Sequence, residues 1–415
     1  MIKQIRVTNI KAISDSLLIP LQPLTVYIGR NGTGKSSMLE ALDWLGMALD
    51  GGAQFATEPF RRFADLVHAD GGESPTVMNI NLVIDPEDAS ISDEILYKVG
   101  VGSGEDHETP VIVFEELSIK TRDGYEFWIK TDIGIRYRRV RQSIEEFKQE
   151  KSKDSVKVKR VLVNEENDWV VVSNTDRLAL TDIDPAIARA GMFVKSALEK
   201  AVFLRLSPRS IADFSPAHSR PSPRLLDDEG YNLAHLLGQL DAETLEILIE
   251  KLSYVIQGAS GIDSHKPTSP ADRRYFTFLE KGISDDQPMQ VPAWVLSEGT
   301  RRVTAILAVL LHDSPPKLLC IEEIENGLDP WTLGFILEEL RQAINRGMQV
   351  LLTSHSPYML NMVAKDNIVL CNRNNKQIEF LTADRLPALD ELQTMLGIGS
   401  LYANKALYPN RTGNE

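Results

Sequence analysis

Apolar residues that alternate with polar ones, or that run uninterrupted up to a glycine, divide the chain into predicted strands and helices. The first ten residues, MIKQIRVTNI, alternate as a half-buried strand does. Residues 24–29 (LTVYIG) and 318–321 (LLCI) are continuous apolar runs, which is typical of strands buried on both faces. Residues 37–49 (SMLEALDWLGMAL) repeat their apolar positions at helical spacing. These patterns predict an α/β core.

Between the first helix and about residue 200 the pattern changes to that of an antiparallel sheet. Five segments alternate or run apolar between Gly, Asp and Asn turns: TVMNINLVID, TPVIVFEELSI, YEFWIKTDI, VKVKRVLVN and DWVVVS. A helical patch at 141–154 interrupts them, 231–256 is predicted as helices, and 258–274 as a polar loop or lid. Heptads sustained over several turns are absent from the sequence, which excludes a long coiled-coil arm.

The patterns predict five consecutive parts of the chain. They are an N-terminal lobe (1–90), a β-rich insert (91–200), a helical lobe with a lid (201–290), a C-terminal lobe (291–380) and a short helical tail (381–415).

Composition narrows the class of protein only slightly. With 43% hydrophobic and 25% charged residues, the 415-residue chain has an ordinary globular balance, and its net charge of −14 argues against a general nucleic-acid coat. Cys320 and Cys371 are too few for a disulfide framework, and Cys320 has the setting of a small core residue. No signal-peptide core is present, and no apolar run approaches the ~20 residues of a membrane span. We expect a cytoplasmic location and no membrane partner.

The strand LTVYIG leads into GRNGTGKSS, which fits the spacing Gly-x-x-x-x-Gly-Lys-Ser of a phosphate-binding loop and opens the helix at 37–49. Glycines let backbone N–H groups converge on phosphate oxygens, and the helix N-terminus adds a favourable partial charge. Lys35 is predicted to reach the β and γ phosphates, and the Ser36 hydroxyl to coordinate Mg²⁺. The alternative is a chance glycine turn before a helix. The predicted nucleotide-binding residues are Gly29, Arg30, Asn31, Gly32, Thr33, Gly34, Lys35, Ser36 and Ser37.

The run LLCI ends in two acids, Glu322 and Glu323. In a phosphate-loop fold the first such acid holds Mg²⁺, commonly through water, and the next can deprotonate the attacking water. We therefore predict Ser36 and Glu322 on the metal side and Glu323 as the general base, with a solvated acidic turn as the alternative. The strand at 349–354 leads to His355, which is predicted to hydrogen-bond the γ-phosphate; a merely structural histidine is the alternative.

The stretch VLSEGTRRVTAILAVLLHD (295–313) places Ser297 where it can cap a strongly apolar helix, with Gly299 allowing a phosphate close to the helix end. Taken alone, this could be an ordinary capped core helix. The motif order is nevertheless that of ABC-type ATPases: phosphate loop, LSEGTRR, LLCIEE, NGLDP and TSH. The chain resembles their soluble SMC/RecF/OLD-like branch, and is most similar to the bacterial ATPases called AAA_21 or AAA-15-type.

The resemblance implies a phosphate-loop NTPase fold of ABC-ATPase type, with a mixed core sheet, an antiparallel β subdomain and a helical lobe. It also implies a head-to-tail homodimer that hydrolyses ATP with Mg²⁺, with Glu323, His355 and Lys35 as catalytic residues. The signature of one copy would close on the partner's ATP, and a D-loop would cross the interface. The signature residues are Ser297, Glu298, Gly299 and Thr300; those of the D-loop are Asn326, Gly327, Leu328 and Asp329.

Three departures from the family pattern are visible. Glu298 replaces a signature glycine, the usual Asp-Glu pair is Glu-Glu, and no Q-loop glutamine is recognisable; Gln54 is the weak candidate. Asn9 and Lys11 fall where relatives contact or flank the nucleotide base. These departures leave room for a slow or non-hydrolysing scaffold that sequesters an effector.

The family further implies a sensor or motor role in DNA repair or anti-phage defence. The segment Arg136–Arg160 carries ten Arg/Lys against four Asp/Glu, which is usually a solvated face but could contact DNA or a partner. The stretch after residue 357 is too short for a metal-dependent Toprim nuclease, so we expect a nuclease or toxin effector to be a separate chain.

Overall fold

A computed structural model gives the structure of the chain. It describes residues 1–68, 77–86, 94–104, 106, 108–121, 124–132, 135–139, 169–172, 174–182, 189–215, 224–265, 273–281, 288–374, 377–386 and 397–407. The predicted helix at 141–154 and strand VKVKRVLVN lie outside these residues.

Strands and helices are numbered here along the chain. The strands are β1 Ile2–Ile10, β2 Ile13–Asp15, β3 Ile19–Pro20, β4 Leu24–Gly29, β5 Met78–Ile84, β6 Ile95–Ser103, β7 Pro110–Thr121, β8 Gly124–Asp132, β9 Ile135–Arg139, β10 Trp169–Val172, β11 Val202–Leu204, β12 Ala259–His265, β13 Tyr275–Glu280, β14 Met289–Pro292, β15 Leu318–Ile321, β16 Gln349–Ser354, β17 Ile368–Asn374 and β18 Gln377–Thr382. The helices are α1 Lys35–Gly51, α2 Ala53–Thr57, α3 Phe63–Leu66, α4 Arg189–Leu198, α5 Pro208–Ala212, α6 Leu233–Leu237, α7 Ala242–Ser253, α8 Glu298–Leu311, α9 Pro330–Asn345, α10 Pro357–Met362 and α11 Ile398–Ala403.

The chain folds as two compact units. The first unit comprises Met1–Leu21, Asn31–Glu199 and Cys371–Phe380, and the second comprises Gln22–Arg30, Lys200–Leu370 and Leu381–Glu415. This division follows packing rather than chain order, and the five-part division drawn from the sequence remains a prediction.

The first unit is built on a nine-stranded sheet in the order β10-β9-β8-β7-β6-β5-β1-β2, with β3 pairing β1. Every pairing in it is antiparallel, as the alternating patterns predicted. Strand β6 was not predicted, although Ile95, Tyr97, Val99 and Val101 alternate along it and are buried. Helix α1 packs on β1 and β5 of the same unit.

A buried ion pair ties β7 to β9 inside the first unit. Glu115 accepts hydrogen bonds from Tyr97 (3.0 Å), Arg136 (3.1 Å) and the backbone N–H groups of Ala179 and Leu180 (2.6 and 2.9 Å). Burial raises the pKa of the Glu115 carboxyl and of the Tyr97 phenol. Arg136, the first residue of the basic segment Arg136–Arg160, therefore faces inward and serves the core. Residues 140–160 of that segment lie outside the described part of the chain.

The second unit contains the parallel core. The six-stranded sheet has the order β11-β15-β16-β4-β17-β18, and the pairs from β11 to β4 are all parallel. Strands β4, β11, β15 and β16 are fully buried, as continuous apolar runs require, and helices α8 and α9 contribute their apolar faces to the same core. Because parallel strands end on the same side, the residues that follow β4, β11, β15 and β16 meet at one edge.

The prediction of a polar loop or lid at residues 258–274 is partly wrong. Residues Ala259–His265 form β12, the edge of a three-stranded antiparallel sheet β12-β13-β14. Gly258 and Gly261 interrupt the apolar alternation there, so the pattern resembled a loop, and the pairing with β13 supplies the strand. Helices α6 and α7, predicted within 231–256, pack on β12.

Two smaller predictions concern the two cysteines and membrane-spanning segments. Cys320 and Cys371 are buried and are not joined in a disulfide. Cys320 is thus a core residue, and burial raises the pKa of the Cys371 thiol. Across the described ranges, no helix combines the length and the apolar character that crossing a membrane requires.

Candidate nucleotide site

The phosphate loop has the backbone that its glycines allow. Strand β4 ends at Gly29, and α1 begins at Lys35 after Gly34 as its N-cap. Gly32 and Gly34 have φ values of 74° and 81°, in the left-handed region that favours glycine. A Cβ on Gly34 would also lie 3.0 Å from Ile378 and 3.2 Å from Ile13.

Of the remaining predicted residues, Arg30, Asn31 and Thr33 lie between that strand and helix, whereas Lys35, Ser36 and Ser37 are the first residues of α1. Arg30, Asn31 and Gly32 are exposed, Ser36 is half-buried, and Thr33, Lys35 and Ser37 are buried, Lys35 to 7% exposure. The strand–glycine loop–helix context that the predicted phosphate-binding motif requires is therefore present.

The ends of the parallel strands bring the predicted acids and the histidine to the edge where the loop starts. Ser354 pairs with Ile28, and Leu352 pairs with Ile321. His355 and Glu322 are therefore the first residues past β16 and β15, and Gly29 is the last residue of the neighbouring β4. Residues separated by more than 300 positions in sequence thus share one edge of the sheet.

Glu322 is held on both its backbone and its side chain. Its N–H donates to the Leu204 carbonyl (2.8 Å), and its Oε1 accepts from the Arg205 guanidinium (2.7 Å). The Glu322 side chain is 15% exposed and that of Arg205 53% exposed. The predicted metal-side carboxylate therefore has a cationic neighbour that the sequence did not indicate.

Glu323, the predicted general base, stands on a strained turn. Its φ of 47° is left-handed, which costs a non-glycine residue about 1–3 kcal/mol. Its N–H donates to the Thr353 hydroxyl (2.9 Å), and its Oε2 accepts from the Asn326 amide (2.5 Å). These contacts from β16 and from the predicted D-loop hold the strained conformation and fix the carboxylate.

Glu325 and His355 form a pair. The Glu325 Oε1 accepts the His355 backbone N–H (2.7 Å) and lies 3.2 Å from the His355 Nδ1. Its Oε2 is buried and has no hydrogen-bond partner among the described residues. Donation from Nδ1 to the carboxylate leaves Nε2 as the ring nitrogen directed away from Glu325. Glu325 thus sets the orientation of the predicted phosphate-sensing histidine.

The predicted signature forms a capped helix start. Ser297 Oγ accepts from the Thr300 N–H (3.1 Å) and lies 2.8 Å from the Thr300 hydroxyl. Ser297 and Glu298 are exposed. Gly299 has a reason to be glycine that the sequence did not reveal: a Cβ there would lie 2.4 Å from the Gly327 carbonyl oxygen.

The predicted D-loop is a turn that leads into α9. Gly327 has a φ of 71°, and Leu328 is packed against the core. Asp329 caps α9 by accepting from the Trp331 and Thr332 N–H groups at 2.9 and 3.1 Å. The hydroxyl of Thr332 holds the pKa of the Asp329 carboxyl below its usual range. Within one chain, then, signature and D-loop touch through Gly299 and Gly327.

Arg302 links the signature helix to the acids. Its guanidinium donates to the Leu206 carbonyl (2.8 Å) just beyond β11. Burial lowers the pKa of Arg302, and the negative charges of Glu298, Glu323 and Glu325 oppose that shift. One half-buried cation is thereby within electrostatic reach of three carboxylates.

Three residues with evident roles were missed from the sequence: Arg205, Arg302 and Glu325. For Glu325 a signal existed, since a third acid two positions after a buried pair is unusual at a strand end. Arg205 follows the strand beside β15, a place that only the pairing of β11 reveals. Gln54 lies exposed on α2, where its N–H donates to Asp176 (2.8 Å), and does not follow a strand of the parallel sheet.

The residues present are compatible with magnesium. Mg²⁺ in nucleotide sites keeps several waters and takes only one or two protein oxygens besides phosphate. Of the residues that the structure describes, no group of three or more His, Cys, Asp or Glu could hold a metal ion, and a site with Ser36 and Glu322 requires none. Both offer the hard oxygen atoms that Mg²⁺ prefers.

Comparison with known proteins agrees with this architecture. The head of an SMC protein, solved bound to the C-terminal winged-helix domain of ScpA, superposes with a TM-score of 0.53 at 14% identity, covering 92% of this chain and 97% of that one. The Pyrococcus furiosus-derived SMC head with an extended coiled coil, bound to the C-terminal domain of ScpA, gives 0.50 at 13% identity, with 95% and 99% covered. The fold is therefore that of an ABC-type phosphate-loop ATPase head.

The family follows from the sequence profile. The profile of AAA_21, described as "AAA domain, putative AbiEii toxin, Type IV TA system", matches residues 24–361. This chain belongs to the AAA_21 family. A search among curated proteins gave no match.

Proposed function

We propose that this chain binds and hydrolyses ATP with Mg²⁺. The observation that carries the proposal is the shared edge of the parallel sheet, where the phosphate loop begins beside Glu322, Glu323 and His355. Lys35 and the loop N–H groups would bind the phosphates, and a bound Mg²⁺ would neutralise charge on them.

In this proposal Glu323 takes the proton of the attacking water. The Thr353 and Asn326 contacts fix where its carboxylate points, which is what a general base requires. His355, oriented by Glu325, would hydrogen-bond the γ-phosphate through Nε2.

The experiment is to replace Glu323 by Gln. The amide keeps the shape and the Asn326 contact but cannot accept the proton, so we expect turnover to fall by about 10²–10⁴ while ATP still binds. Phosphate release and equilibrium ATP binding measure the two effects, and Glu338→Gln, an exposed acid on α9, is the matched control. Unchanged turnover in Glu323→Gln would remove Glu323 from the base role.

We further propose that two copies act head to tail. Support comes from the exposed Ser297 and Glu298 at the tip of α8, next to the D-loop through the Gly299–Gly327 contact. A capped helix start is suited to a phosphate. The signature of each copy would close on the nucleotide held by the other.

A slow or non-hydrolysing scaffold is the second candidate. Arg205 contacts the oxygen of Glu322, and Asn326 that of Glu323, so both acids are engaged within the chain. Steady-state turnover with and without a partner protein separates this candidate from an active ATPase.

For the biological setting we propose a role in DNA repair or anti-phage defence, in which the ATPase senses a trigger and holds a separate nuclease or toxin. The family description, with its toxin and its type IV toxin–antitoxin system, supports this direction. The SMC heads among the structural neighbours were solved bound to ScpA, which supports a partner protein in general. Direct DNA contact through the rest of the basic segment Arg136–Arg160, beyond the buried Arg136, would show as salt-sensitive binding.

A further inference from the structure

Arg205 lies at the edge of the parallel sheet where the phosphate loop begins and the predicted catalytic residues meet. Strand β11 pairs with β15 in parallel, with Leu204 opposite Ile321, so Arg205 and Glu322 are the first residues beyond the paired ends. The Arg205 N–H donates to the Asp228 carbonyl (2.7 Å), while the Leu204 carbonyl accepts from Glu322. The backbones on both sides are thus fixed, and the side-chain contact follows from the fold rather than from a chance approach.

The contact between Arg205 and Glu322 is an ion pair in which the arginine side chain is exposed and the glutamate side chain is largely covered. One guanidinium nitrogen of Arg205 lies 2.7 Å from Oε1 of Glu322, with the arginine side chain 53% exposed and the glutamate 15% exposed. Exposed ion pairs contribute little to folding stability. The exposed guanidinium can therefore leave at little cost when another cation takes its place, because the largely covered carboxylate then stays paired.

Glu322 is also the carboxylate that the proposed function gives to magnesium. A guanidinium beside this carboxylate disfavours a divalent cation at the same oxygens by direct charge repulsion. The same guanidinium binds phosphate as readily as carboxylate. One cation thus opposes the metal and favours the nucleotide's phosphates.

We propose that Arg205 is a positioning residue that holds Glu322 until a nucleotide binds, and then exchanges that carboxylate for phosphate oxygens. The proposal rests on the proposed ATPase function. Under this proposal, Arg205 determines how strongly the affinity for nucleotide depends on Mg²⁺.

Arg205→Gln tests this assignment. Affinity for a fluorescent ATP analogue is measured by anisotropy, once with saturating Mg²⁺ and once in EDTA. Loss of the guanidinium weakens the metal-free affinity and removes the repulsion of Mg²⁺, so the ratio of Kd in EDTA to Kd in Mg²⁺ should rise about fivefold or more. Arg205→Lys retains the charge and should keep a ratio near that of the wild type.

Arg209→Gln removes an exposed arginine four residues further along and is the matched control. Thermal unfolding of each variant shows that it is folded; should Arg205→Gln not fold, Arg205→Met removes the same charge. A ratio that stays within about twofold of wild type in the uncharged variants, or that falls, overturns the role of Arg205 and leaves the ATPase proposal intact. Failure of the wild type to bind nucleotide in either condition overturns both.

Discussion

At the scale of single residues, the acids after β15 are not equivalent. Glu322 faces an arginine, Glu323 sits on a left-handed backbone, and Glu325 turns back to the histidine at the end of β16. Three glutamates within four positions therefore have three environments. In the proposed function, this arrangement would give metal contact, proton transfer and histidine orientation to three different glutamates.

Glu325→Gln should reduce turnover about tenfold with little change in ATP affinity. Gln keeps an acceptor for the His355 N–H but loses the charge that orients the ring, and changes to such supporting partners typically cost 10–100-fold. Single-turnover hydrolysis and ATP binding, compared with the exposed control Glu338→Gln, give the two numbers. Wild-type turnover in Glu325→Gln would mean that His355 is positioned without it.

At the scale of elements, one glycine sets how closely α8 approaches the turn before α9. The Gly299 position leaves no room for a Cβ, because the Gly327 carbonyl oxygen would be 2.4 Å away. The signature helix and the D-loop therefore form one packed piece within each chain.

Gly299→Ala should destabilise the second unit by about 1–3 kcal/mol, the usual cost of forcing extra atoms into a packed contact. The matched control is Gly334→Ala on α9, whose added Cβ would meet only Met362 at 4.0 Å. A helical glycine replaced by alanine without a clash gains stability. Urea unfolding curves of the two variants should move in opposite directions. An unshifted Gly299→Ala curve would mean that α8 and the turn at Gly327 can move apart at little cost in stability.

The phosphate loop and helix α1 could be predicted from the sequence because their signal is local. Glycines at fixed spacing, a lysine, a serine and an apolar run on each side lie within about 25 residues. Cys320 and several of the antiparallel strands, though not β6, could likewise be predicted from short patterns.

The site residues that could not be predicted from the sequence are brought together by pairing between strands that lie far apart in the chain. Strand β11 has three residues, and its partner β15 lies more than 100 positions later, as the 117-residue separation of Arg205 and Glu322 shows. Nothing near Arg205 in sequence marks it as the neighbour of an acid. The contact between Gly299 and Gly327 was hidden for the same reason, and β12 because its glycines masked the alternation.

At the scale of the whole molecule, the proposed head-to-tail pair makes a prediction that a single-chain site does not. Lys35→Ala removes the phosphate-loop cation, and Ser297→Arg blocks the exposed helix tip, so each variant alone should be inactive. In a mixed dimer one intact loop meets one intact tip, and about a quarter of wild-type turnover should return if each site works alone. Steady-state hydrolysis of an equimolar mixture measures this recovery.

A mixture that stays inactive, although size exclusion shows mixed dimers, would mean that loop and tip of the same chain work together. As controls, each variant mixed with wild type should lose activity in proportion to its share.

Arg302 stands on the helix that starts at Ser297, its guanidinium holds the backbone beyond β11, and the charges of Glu298, Glu323 and Glu325 act on it. The signature helix is therefore connected, through one arginine, to the carboxylate that we propose as the general base of the same chain. In a head-to-tail pair, the nucleotide held by the opposite copy would contact the start of that helix. The nucleotide on one copy would thus be linked through this arginine to the carboxylates of the other.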